Sequence, residues 1–95
     1  MTTDKPYSDI GARLRMIRLA YGRCRANAFA ESFGWKYASY SAWETGYRRI
    51  SLDAAIAIRD RFGPTLDFIY LGRSDTIPPA MIDALRNAAH NDASG

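Results

Sequence analysis

The chain has 95 residues, 47% hydrophobic and 13% aromatic, enough for one domain with a modest core and too few for a second catalytic or effector domain. With a net charge of +3 and a single cysteine, Cys24, it can form no intrachain disulfide and carries no mark of an oxidising compartment. No apolar run is long enough for a bilayer and MTTDKPYSD lacks the apolar core of a secretion signal, so a cytoplasmic protein without membrane association is expected.

The charge is unevenly spread. Residues 13–49 carry eight basic side chains against two acidic ones, a net +6, and residues 50–95 carry four against six, a net −2. A basic half of this kind either is a solvated face or turns toward a polyanion.

In chain order, residues 1–8 read as an N-terminal arm with Pro6. Ser8 is a candidate N-cap and Asp9 suits a first helical turn. Ile10, Leu14, Ile17 and Tyr21 then recur at helical spacing, with a stop expected at Gly22. Gly11, near the start, reads as a mild helical cost. A short alanine-rich segment follows at 26–33, with Ala26, Phe29, Ala30 and Phe33 on one stripe, and Gly34 as a turn residue. A third helix is expected over 37–43, ended by Gly46, with YRRI as a loop. Ser51 is the expected cap of a fourth helix, with Leu52, Ala55, Ile56, Arg59 and Phe62 on its inner face and a stop at Gly63-Pro64. Thr65 caps a fifth helix, LDFIYL, ended by Gly72. After a linker at 73–77, Pro78-Pro79 opens a sixth helix with Met81, Ile82, Leu85, Ala88 and Ala89 on one stripe, and residues 91–95 form a tail. No segment has a strand's pattern. The expected fold is all-α: a five-helix domain over 9–72, then a linker and additional C-terminal helix over 73–90.

Catalysis has little to work with. The single His, at position 90, and the single Cys make no nucleophile–base pair. No CxxC or HExxH spacing offers a metal site, and no P-loop or GxGxxG is present. No enzyme activity, metal or cofactor is expected. The strongest local pattern is AFAESFGWKYASYSAWE: two short helices around a tight turn, with small Ala30 allowing close approach, Gly34 turning the chain, and Tyr40 and Trp43 filling the junction. That is the logic of a helix-turn-helix, whose second helix enters the DNA major groove.

With these residues in view, the chain resembles the XRE family, the Cro and lambda-repressor-like DNA-binding domains, over residues 10–72. RLRMIRLAYG is similar to the family's first helix, AFAESFG to its second helix and turn, YSAWETG to the end of its third, and SLDAAIAIRDRFGPTLDFIYLG to its fourth and fifth. The resemblance implies a small regulator that binds double-stranded DNA as a homodimer and acts by occluding a promoter or operator. It places base contacts at Lys36, Tyr37, Ala38, Ser39, Ser41 and Ala42, and phosphate contacts at Arg48 and Arg49. Glu44 matches a family glutamate that pairs with an arginine of helix one, here Arg18; a solvent-facing Arg18 on phosphate is the competing reading. The dimer surface is expected on Phe68, Ile69 and Leu71 with Met81, Ile82 and Leu85, although that last stripe could equally pack on its own domain.

Three departures bear on this. Arg25 and Ala26 stand where the family often opens helix two with Thr-Gln, so a glutamine contact is lost and Arg25 is left as a phosphate candidate. The 22–30 segment is one residue longer than the family's. Ile50 replaces the usual proline before helix four. The two alanines on the reading face keep a second function open: a protein-binding module on the same fold, an antitoxin or a regulator's partner.

Overall fold

The structure is a computed structural model that describes residues 5–73 and the separate helical positions 83, 86 and 87. The expected stripe of Met81, Ile82 and Leu85 lies outside the described residues. Among those described, there are five α-helices and no strand: α1 Ser8–Ile17, running on into a π-helical turn Arg18–Gly22, α2 Ala26–Ser32, α3 Tyr37–Thr45, α4 Leu52–Phe62 and α5 Leu66–Leu71. The protein is an all-α bundle.

Alpha1 is the spine. Its spaced apolar residues Ile10, Leu14 and Ile17 are buried, and it packs against both α3 and α5. Gly11 lets α3 come this close. A Cβ at Gly11 would collide with the Glu44 carbonyl and lie 2.9 Å from that of Trp43, so the residue expected to weaken the helix is what lets two backbones touch.

Both ends of α1 differ from the expectation. Tyr7, not Ser8, occupies the N-cap position, with no side-chain cap; the Tyr7 N–H donates to the Gly46 carbonyl (3.0 Å) instead, so a tertiary bond sets the entry of the helix. Gly22 stays helical, and the reversal falls on Arg23 at φ 52°. The Phe29 ring explains this: a Cβ at Gly22 would sit 2.6 Å from it, so glycine serves packing there and the left-handed strain passes to an arginine. The Arg23 N–H closes the π-turn on the Arg18 carbonyl (2.7 Å). A π-turn takes up one residue more than an α-turn.

Ser51 caps α4 by accepting from the Ala54 N–H (3.2 Å), and Thr65 caps α5 by accepting from Phe68 N–H (3.1 Å). The inner face of α4 is rotated from the expected one: Ala54, Ala55 and Ile58 are buried, whereas Leu52 is 56% exposed and Arg59 pairs with Asp60 in solvent. Apolar residues fall on more than one side of LDAAIAIRDRF, so the pattern alone does not choose the buried side; α4 packs on α5. Ile50, just before α4, is buried at 2% exposure.

The expected dimer surface on α5 needs correction. Phe68 and Ile69 are core residues of this domain, because α5 packs on α1 and α4 and turns them inward. Only Leu71 of the three reaches solvent, at 66% exposure. Arg13 fastens α5 to α1, donating from Nε to the Ile69 carbonyl (3.0 Å) and from Nη2 to that of Tyr70 (3.2 Å). A cation thereby meets the negative end of the α5 dipole.

Candidate nucleic-acid interface

Alpha3 is fastened from behind by a charge and by rings. The Arg18 guanidinium donates to both oxygens of Glu44, Nε to Oε2 at 2.9 Å and Nη2 to Oε1 at 2.7 Å, and through Nη1 to the Cys24 carbonyl at 2.8 Å. Both side chains of the pair are only 9% exposed. Arg18 therefore ties α1, the α1–α2 loop and α3 together, and faces inward, not toward solvent. The bidentate carboxylate raises the guanidinium pKa against the lowering effect of burial.

Tyr40 stands beside this pair, fully buried. Burial first, and then the Glu44 carboxylate, push its phenol pKa well up. Its hydroxyl is buried against the Arg18–Glu44 pair and makes no hydrogen bond of good geometry with either. Around it, Phe29 lies 5.2 Å, Trp35 6.0 Å and Trp43 6.4 Å away between ring centroids. These aromatic contacts close the α2–α3 junction.

The outward side of α3 is different in kind. Lys36, Tyr37, Ala38 and Ser39 are exposed, with Tyr37 at 54%, and Ser41 and Ala42 are half-buried. The residues expected to meet bases are thus all accessible, less so toward the C-terminal end of the helix. Lys36 occupies the N-cap position, and no side chain caps the helix. Arg25 does the same for α2. A cation at a helix N-terminus opposes the dipole, at a cost of roughly 0.3–1 kcal/mol each.

Beyond α3, Gly46 turns the chain at φ 91° with its Cα against the Ser8 backbone, where a Cβ would come within 2.6 Å. The Arg48 N–H returns to the Ala42 carbonyl (3.1 Å), folding the loop onto the last turn of α3 and leaving the Arg48 and Arg49 side chains exposed. Lys5 and Tyr7, which the sequence pattern did not single out, join this cluster. Arg49 lies over the Tyr7 ring (5.9 Å) and Lys5 over the Tyr47 ring (5.3 Å). Cations next to tyrosines in sequence gave no sign that residues 5–7 meet 46–49; the contact depends on the bond from Tyr7 to Gly46.

Among the described residues no cluster of His, Cys, Asp and Glu could hold a metal ion, and no helix is long and apolar enough to cross a membrane. An open, shallow hollow is lined by Arg49, Ile50, Ser51, Leu52 and Tyr70, with the Tyr70 hydroxyl donating to the Ile50 carbonyl (2.8 Å). No protein-family model, curated protein or solved structure matches this chain.

Proposed function

We propose that this protein binds double-stranded DNA through α3 and regulates transcription by occluding a promoter or operator. The observation that carries the reading is the contrast between the two sides of α3. Its inner side is held by a bidentate ion pair and stacked rings, and its outer side is exposed, small-residued and flanked by cations at both ends, Lys36 at its N-cap and Arg48 and Arg49 after it, with a further exposed cation, Arg25, at the N-cap of α2. Cations placed against helix dipoles are a local cost in the isolated protein. An anion brought to those N-termini offsets it, and a phosphate there accepts from backbone N–H groups as well as from the side chains.

In this reading Arg25, Arg48 and Arg49 contact phosphates and fix register, while Lys36, Tyr37, Ser39 and Ser41 meet base edges and Ala38 and Ala42 permit close approach or touch a thymine methyl. A single short helix reads few base pairs, so two copies on a palindromic site complete the mechanism. Their contact would use Leu71 and the neighbouring surface, with Phe68 and Ile69 excluded because they fill the core.

The test is a fluorescence-anisotropy titration of duplex DNA at several salt concentrations, on wild type and on Arg48→Ala/Arg49→Ala. Removing one phosphate ligand should reduce the slope of log affinity against log salt by about 0.9, so the double variant's slope falls by about 1.8 per protomer. An unchanged slope contradicts the phosphate roles. Tight binding of a protein partner with no duplex binding favours the protein-binding module instead.

A further inference from the structure

Arg61, at the last turn of α4, lies far in sequence from α3 and outside every role given above. Its Nη1 donates to the Ser32 hydroxyl (3.0 Å) and its Nη2 to the Ser32 carbonyl (3.1 Å), at the C-terminal end of α2. Its guanidinium also lies 3.6 Å from the centroid of the Phe33 ring. Trp35 stacks on the same ring, with centroids 4.3 Å apart and planes 7° from parallel. Two groups this close over one ring cannot share a face, so Phe33 lies between them. Trp35 then meets Trp43 edge-on at 5.3 Å, and its backbone N–H donates to the Ala30 carbonyl (3.0 Å). The next residue is Lys36, the N-cap of α3.

We propose that Arg61 is a positioning residue for the N-terminal end of α3. Its planar fork caps α2 while its face clamps Phe33, and the stack Arg61–Phe33–Trp35 transmits the placement of α4 to the turn that launches Lys36 and Tyr37. The guanidinium is needed for both functions at once. A lysine keeps the charge but has neither the fork nor the flat face. An effect on DNA sequence preference follows if α3 reads bases, and that part rests on the function proposed above.

The experiment measures amide hydrogen exchange by NMR, without DNA, in wild type, Arg61→Ala and Arg61→Lys. Exchange at Trp35 and Ser39 should rise about tenfold in both variants relative to core amides such as Leu14 and Ile58. A rise no greater than that of the core amides, or rescue by lysine, overturns the proposal. Titrations of selected and random duplexes on the same proteins give the second readout. Preference for the selected site should fall about tenfold with the salt slope unchanged. If the slope drops by about 0.9 in Arg61→Ala and lysine restores it, Arg61 is a phosphate ligand and the positioning role is wrong. If wild type binds no duplex at all, the DNA function fails and the exchange comparison alone decides the positioning.

Discussion

Replacing Glu44 by Ala removes one half of a pair that the fold has taken almost wholly out of water. Arg18 would keep its bond to the Cys24 carbonyl and lose the partners of Nε and Nη2, leaving a cation with 9% side-chain exposure and one remaining acceptor. Breaking a buried pair on one side costs about 3–5 kcal/mol, because the remaining charge is uncompensated. A domain of this size has a total stability of about 5–15 kcal/mol, and each kcal/mol shifts Tm by about 4–8 °C. Glu44→Ala should therefore lower Tm by at least about 12 °C. Circular dichroism during heating and urea unfolding gives both numbers. The apolar double variant Arg18→Met/Glu44→Leu supplies the control, since exchanging the whole pair is far less costly than stripping one partner. A Glu44→Ala protein within about 1 kcal/mol of wild type, or a double variant as unstable as the single, would refute the reasoning.

Two further substitutions test the packing around α3. Gly11→Ala raises helix propensity by about 1 kcal/mol, yet its methyl meets the Glu44 carbonyl, so a net loss of about 1–3 kcal/mol is expected; urea unfolding that shows a gain would contradict the close α1–α3 approach. Tyr40→Phe removes a buried hydroxyl that makes no hydrogen bond of good geometry with the adjacent Arg18–Glu44 pair and should change stability by no more than about 1 kcal/mol at pH 7. The same variant has a signed pH effect. Below about pH 10 the phenol is neutral in both states; above it the unfolded tyrosine ionises while the folded one, its pKa raised by burial and Glu44, keeps its proton, so stability falls as pH rises. Tyr40→Phe should make that alkaline fall shallower by up to about 1.4 kcal/mol per pH unit, without abolishing it, because Tyr21 and Tyr70 are also shifted upward by burial. An alkaline limb identical to wild type would contradict it.

What could be read from the chain alone was what is local. Ser51 and Thr65 cap their helices because a hydroxyl three residues before an N–H needs no distant partner, and Ile10, Leu14 and Ile17 turn inward because their spacing makes one stripe. The Arg18–Glu44 pairing came from resemblance, as no local rule links residues 26 apart. The rest depended on contacts between elements. Gly11 looks like a weak helical residue until the α3 backbone lies against it. Alpha5 has six residues, too few for periodicity to show which side faces in, so Phe68 and Ile69 could be assigned to a dimer surface. Arg13 and Arg61 read as ordinary surface charges, because the carbonyls they cap lie 56 and 29 residues away. On α3 the exposed face was legible as a run of small side chains between buried aromatics, whereas the approach of Lys5 and Tyr7 to the 46–49 loop was not.

Selection of bound sequences from a random duplex pool tests the central claim most directly. With wild type, a recurrent site should emerge that binds at least about 10³-fold more tightly than random duplex. With Tyr37→Ala, the preference should flatten while non-specific affinity and salt slope persist. A pool with no recurrent sequence, or a Tyr37→Ala loss that falls equally on every duplex, would contradict the assignment of the outer face of α3 as the reading surface.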